Sequence, residues 1–140
     1  MRFVLDNSVV MRWLLKDGSV ERLAYADKVL GLLMQDDAQA VVPGVWPLEV
    51  ANVIVKAQAK GLVSEARATA FIGLLDDMGI SVDARTAERA LTDTLQLARR
   101  FKLSSYDASY LELALREGLQ LATLDADLHS AMLQTGGGVV

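Results

Sequence analysis

Four acidic residues stand in short segments where a carboxylate could do chemistry: Asp6 in VLDNSV, Glu49 in PLEVANV, Asp107 in SSYDASYLELAL and Asp125 in ATLDADLHSA. The chain has no cysteine, and its one histidine is His129. Thiolate chemistry, disulfides, cysteine zinc sites, histidine-rich metal sites and serine–histidine triads therefore lack their parts. A metal bound here would be held by oxygen alone, which favours Mg²⁺ or Mn²⁺. Each acid also has an ordinary local explanation. Asp6 precedes a helical pattern and reads most simply as a helix cap. Glu49 falls in a first helical turn, where the dipole favours a carboxylate. Ser104-x-x-Asp107 fits a capping box, and Asp125 precedes a helix that it could cap. Taken singly, none of the four reveals a function.

The elements that must position these acids alternate between strand and helix. Residues 2–5 read as a short buried strand running into Asp6, and 8–15 as a helix with Trp13 and Leu14 inside. Ser19 caps a second helix with Leu23, Ala26, Leu30 and Leu33 at helical spacing. AQAVVP (38–43) is a second strand, and the Glu49 helix comes next, with Pro47 near its first turn and Gly61 at its end. Ser64 caps a helix that stops at Gly79. ISVDA (80–84) is a third strand, 86–101 a single helix, and Ser105 to Glu117 another. LQLATLD (119–125) is a fourth strand that ends in Asp125, followed by a short helix to about Leu133. GGGVV at the end is either a fifth, edge strand or a loose tail. Alternation of this kind implies parallel strands joined by right-handed crossovers with helices on both faces, a three-layer α/β/α domain. No linker, repeat or low-complexity segment divides the 140 residues, a length that suits one domain burying about two-thirds of its unfolded surface.

That architecture changes the meaning of the acids. In an open parallel sheet, ligands bind outside the carboxyl ends of the strands, near a topological switch point. Asp6 and Asp125 both end strands, Glu49 comes after strand two by a short loop, and Asp107 opens the helix leading into strand four. If strands one and four are neighbours, all four acids converge on one crevice. Clustered carboxylates raise one another's pKa, and a bound divalent cation removes that penalty.

The order of VLDNSV, PLEVANV, SSYDASYLELA and LATLDADL, spanning Met1 to about Leu133, resembles PIN domains and especially VapC-type toxin ribonucleases. The resemblance implies a five-stranded parallel sheet of order 3-2-1-4-5, which makes strands one and four neighbours. It also implies that Asp6, Asp107 and Asp125 bind Mg²⁺ or Mn²⁺ directly or through water, while Glu49 orients water or a second ion. Ser8 takes the place of a small hydroxyl residue that supports the site. Asp127 offers a second carboxylate in the DAD segment and is expected to be a dipole partner or supporting group in its helix's first turn. The implied reaction is metal-assisted endonucleolytic cleavage of RNA, leaving a 5′-phosphate and a 3′-hydroxyl. One or two ions can activate the water, neutralise the phosphate and stabilise the leaving oxygen, so no histidine base is needed. The resemblance further implies a homodimer and a small antitoxin whose helix fills a groove near the acids.

Composition is compatible with that picture. Hydrophobic residues make up 52% of the chain and mean hydropathy is +0.27, rich enough to suggest helix faces that need a partner chain. No apolar run approaches the roughly 18 residues needed to span a membrane. The first residues lack the basic-then-apolar pattern of a signal peptide, because Asp6 interrupts it. A reducing cytoplasm is the natural compartment for a chain without cysteine. Net charge is −4, so RNA would not be coated by general electrostatics. The candidate phosphate contacts are Arg99, Arg100 and Lys102, the pair Arg12 and Lys16, and the pair Lys56 and Lys60. Most of these sit near helix carboxyl ends, where the dipole accounts for them. Trp13 and Trp46 could stack on bases, but their apolar surroundings point to packing. His129 reads as a polar residue on the last helix.

Other chemistries lack a needed residue. A receiver domain would carry a lysine at the end of a late strand, and LQLATLD has none. A haloacid-dehalogenase-type phosphatase would carry a second aspartate two residues after Asp6, where Ser8 stands. No P-loop glycine pattern is present. The alternative of a different class is a degenerate PIN domain, catalytically weak or inactive, that binds RNA or a protein partner.

Overall fold

The computed structural model describes residues 1–140. Four strands, β1 (Arg2–Leu5), β2 (Gln39–Val42), β3 (Ser81–Val82) and β4 (Gln120–Ala122), form one parallel sheet of order β3-β2-β1-β4. The helices are α1 (Asn7–Leu15), α2 (Val20–Leu33), α3 (Trp46–Ala59), α4 (Glu65–Asp77), α5 (Thr86–Arg89), α6 (Leu95–Phe101), α7 (Ser105–Glu117) and α8 (Ala126–Gln134). Strand β1 lies inside the sheet, with Val4 opposite Val41 on one side and Leu121 on the other. Its Phe3, Val4 and Leu5 are all fully buried. Successive strand residues point to opposite faces, so burial of all three means that both faces of the sheet are covered. Each such side chain contributes about 1.5–3 kcal/mol relative to exposure. That burial fixes the register that carries Asp6 to the carboxyl edge.

No helix is long and apolar enough to cross a membrane.

Three expectations are corrected. The sheet has four strands rather than five. The glycine-rich tail reaches the expected edge position but pairs with β4 only through the single bridge Leu121–Val139, held by Leu121 N–H to Gly138 O (3.1 Å) and Val140 N–H to Leu121 O (3.0 Å). Gly136 adopts a positive φ of 81°, and a side chain on Gly137 would collide with Met132, so the segment turns tightly where a strand would extend.

The expected helix over 86–101 is broken by a π-helical turn at Ala90–Thr94, between α5 and α6. An extra residue in the turn rotates the remainder of the helix by roughly 100°. Leu91 is 84% exposed, and Thr94 is buried. Finally, β4 stops at Ala122 and not at Asp125, leaving Thr123 and Leu124 as a link to α8.

Candidate active site

Asp6 comes directly after β1, and its N–H donates to Ala122 O at 2.9 Å, extending the pairing with β4 by one bond. Its backbone occupies the N-cap position of α1, yet its side chain caps nothing. The carboxylate is 4% exposed and turned instead toward two hydroxyls. Ser8 Oγ donates to Asp6 Oδ2 at 2.6 Å and Thr123 Oγ1 donates to the same oxygen at 2.7 Å. Each hydroxyl also accepts a backbone N–H, Ser8 from Leu124 at 2.9 Å and Thr123 from Asp125 at 3.0 Å. With an N–H arriving at each hydroxyl oxygen, the single proton of each is directed to Asp6. Both bonds fall on Oδ2, which leaves Oδ1 without a protein donor. Burial pushes the Asp6 carboxyl up to about 6; the Ser8 and Thr123 bonds oppose the shift, and the charges of Asp107 and Asp125 add to it.

Glu49 lies in the first turn of α3, behind Pro47, and is half-buried. Its Oε1 accepts a 2.6 Å hydrogen bond from the hydroxyl of Tyr110, a residue with no exposed surface. Burial raises the Glu49 carboxyl; the Tyr110 bond opposes this, and Asp6 and Asp107 reinforce it. Asp107 lies in the first turn of α7, where its N–H donates to the N-cap Ser104 Oγ at 3.1 Å. Burial again raises its carboxyl, and the charge of Asp125 comes second, with Ser104 opposing and Asp127 adding. Asp125 is the N-cap of α8, its Oδ1 accepting from Leu128 N–H at 2.8 Å. Asp127 is an exposed residue in the first turn of α8. The simple cap therefore holds for Asp125 and fails for Asp6, while the Ser104–Asp107 cap forms by its backbone half.

The fold thus brings Asp6 within electrostatic reach of Glu49, Asp107 and Asp125, and Asp107 within reach of Glu49 and Asp125, at four helix N-termini whose dipoles partly offset the crowding. No arginine or lysine forms a salt bridge with Asp6, Glu49 or Asp107. As arranged, however, no three of the acidic side chains stand close enough to grip one ion. The donor set nevertheless fits a hard divalent cation. It is all oxygen, it is negative without compensation, and Asp6 keeps one buried-edge oxygen free while its partner oxygen is tied. Asp6, Asp107 and Asp125 are the residues that would hold the ion, and Glu49 flanks them.

Two side chains at the site carried no functional signal in the sequence. Thr123 ties Asp6 to the Asp125 loop, and its cue was only a threonine two residues before an aspartate. Tyr110 falls three residues after Asp107, a spacing that reads as an ordinary core position. Among the candidate RNA contacts, Trp46 is buried and Trp13 spends its Nε1–H on Ala26 O at 2.9 Å. Arg12 pairs with Asp17 at 3.0 Å. Lys16 and Lys102 are themselves left-handed caps at the ends of α1 and α6. Arg22, which the sequence did not single out, does approach the site: its Nη1 donates to Leu124 O at 3.3 Å. His129 is exposed on α8.

Acids at the carboxyl edge of an open parallel sheet stand where such folds bind their ligands, and in PIN domains that edge generally serves metal-dependent nuclease chemistry. The chain belongs to the PIN domain family, which its sequence matches over residues 3–132. Among solved structures it is similar to PAE2754 from Pyrobaculum aerophilum, with a TM-score of 0.65 and 22% identity over 94% of this chain and 79% of that one. At that identity the likeness concerns the fold alone. No curated protein matches the chain.

Proposed function

We propose that this PIN domain is a metal-dependent endoribonuclease acting at Asp6, Glu49, Asp107 and Asp125, and that it serves as the toxin of a VapC-type toxin–antitoxin pair. The observation that carries the nuclease reading is Asp6, a buried carboxylate with a fixed orientation, a pKa raised to about 6 and no protein cation beside it. Its burial is costly unless a cation arrives from outside. Mg²⁺ or Mn²⁺, when bound, supplies the charge that neutralises the phosphate and the Lewis acidity that activates water. The chain's own contribution is placement. Ser8 and Thr123 hold Asp6, the first turn of α7 carries Asp107, and α8 starts with Asp125. Glu49 remains able to accept a proton or orient water, and Asp127 supplies further negative charge at the rim.

For the antitoxin the expected place was a groove near the acids; the surface proposed instead is a cavity that none of the four acids lines. A cavity of about 330 Å³ between α1, α2 and α4 is lined by Trp13, Leu23, Leu30, Phe71, Leu74 and Met78 and edged by Arg12, Lys16 and Asp27. Its apolar floor and charged rim suit an amphipathic antitoxin helix. Leu48, Val55 and Ile72 lie exposed on α3 and α4, and a homodimer would cover such a face. The compartment proposed is the cytoplasm, where RNA and antitoxin are met.

The test compares wild type with Asp107→Asn on a mixed RNA pool, with Mg²⁺ and with EDTA. Cleavage is expected only for wild type with Mg²⁺; cleavage that survives EDTA, or is unchanged in the variant, defeats the mechanism. The separation of the carboxylates as arranged favours a second reading, a PIN domain that binds RNA without cutting it. RNA retention without cleavage and without Mn²⁺ uptake would establish that one.

A further inference from the structure

Tyr110 is the largest side chain buried completely in the core, and its hydroxyl is bonded to one of the four acids. It projects from α7, three residues beyond Asp107, and its hydroxyl meets Glu49 Oε1 on α3 across 61 positions of chain at 2.6 Å. That bond to Glu49 is the one the phenol hydroxyl makes. One phenol therefore joins the two helices that carry Glu49 and Asp107. A carboxylate on a flexible three-bond side chain loses freedom when one oxygen is tied this way, and Oε2 is left without a protein donor.

We propose that Tyr110 is a positioning residue for hydrolysis, holding Glu49 through its phenolic hydrogen bond so that Oε2 faces the space shared with Asp6 and Asp107. This rests on the nuclease reading above. Tyr110 has no surface from which to touch RNA, so its contribution runs entirely through Glu49. Loss of the hydroxyl leaves Glu49 free to turn toward water, while the ring continues to fill the core.

The test is a double-mutant cycle of Tyr110→Phe and Glu49→Gln, with RNA cleavage at saturating Mg²⁺, Mn²⁺ binding by electron paramagnetic resonance, and circular dichroism on each protein. Tyr110→Phe should keep the wild-type spectrum and lower kcat by roughly 10–100-fold, the range seen when a ligand's hydrogen-bonded partner is removed, with KM changed less than about twofold. In the Glu49→Gln background the same substitution should change kcat by less than about twofold, because there is no carboxylate left to hold. An unchanged kcat in Tyr110→Phe, or losses that multiply in the double variant, would overturn the proposal. A wild type that binds Mn²⁺ without cleaving defeats only the nuclease reading. In that case Tyr110→Phe must weaken Mn²⁺ binding, and not do so beyond Glu49→Gln alone, for the positioning role to stand. A wild type that neither cleaves nor binds Mn²⁺ overturns both.

Discussion

Two groups of carboxylates lie against the interior of this domain, and they differ in what stands between the acids. Around Arg116, near the end of α7, Asp83 and Glu112 are nearly buried, yet both are paired: Nη2 reaches Asp83 Oδ2 at 2.7 Å and Nε reaches Glu112 Oε1 at 2.8 Å. Burial pushes the Asp83 carboxyl up, but the bonds and charge of Arg116, with help from Thr86, bring it below its ordinary value. The Arg116 guanidinium is held correspondingly far above its own, chiefly through Glu112 and then Asp83. At the crevice the same burial acts without a guanidinium, and Asp6, Glu49 and Asp107 all move up. Where the fold needs buried acids for structure it encodes the cation. Where it encodes none, the acids stay uncompensated within the chain, which is what the proposed metal site would use.

The first way to break that contrast is to take the internal cation away. Arg116→Met keeps the aliphatic stem and leaves Asp83 and Glu112 buried without a partner. Removing one member of a buried pair costs about 3–5 kcal/mol. The expected result is a clearly lowered Tm with no specific loss of Mn²⁺ binding at 4 °C, read by calorimetry and electron paramagnetic resonance. A Tm within a degree of wild type would mean that the Arg116 network carries no structural weight.

Neutralising the other cluster should do the reverse. Asp6→Asn keeps the shape and an oxygen acceptor for Ser8 and Thr123. It also removes the cost of an ionised carboxylate whose pKa has risen from 3.8 to about 6. At 1.36 kcal/mol per unit, the metal-free variant should be more stable at neutral pH by up to about 3 kcal/mol. It should also lose more activity than the roughly 10²-fold that outer partners of a metal site carry. Added Mg²⁺ should raise the Tm of wild type and not that of Asp6→Asn. A variant less stable than wild type in EDTA would show that Asp6 serves the fold rather than the site.

The contrast also marks what could be read in the chain. β1 was legible because three consecutive apolar residues end in an aspartate, while the neighbouring places of β1 and β4 came from the family resemblance, since alternation alone left them open. Ser19, Ser64 and Ser104 were legible as caps because their chemistry is local, and all three accept the expected N–H. The π turn was not, since Leu91 and Leu95 keep helical spacing while packing decides which one turns inward. The edge strand failed because tail glycines offer nothing to bury. Asp6 resembles a cap for the same reason that Thr123 and Tyr110 give no signal. Their partners lie 117 and 61 residues away, and no local pattern encodes a hydrogen bond across that distance. Asp83, Glu112 and Arg116 are silent likewise: only their folding together distinguishes them from surface charges.

The smallest effect separates the clusters by pH. A carboxyl raised in the folded state binds more protons there than in the unfolded chain, so metal-free stability falls as pH rises through the interval between the two values. For Asp6 that interval runs from 3.8 to about 6. Its penalty is absent below the lower value and complete above the upper one, and Glu49 and Asp107 act in the same direction. Asp83 has the opposite sign, contributing stability above 3.8 that disappears as pH falls through its depressed folded value. Denaturant melts in EDTA should therefore show wild type gaining stability from pH 7 down to about pH 4.5, by at most about 1.4 kcal/mol per unit for each group titrating. Asp6→Asn should flatten most of that slope, leaving the loss at still lower pH untouched. A wild-type curve that falls steadily from pH 7 toward pH 4.5 would mean that the crevice acids are already compensated within the chain, and the contrast with Arg116 would collapse.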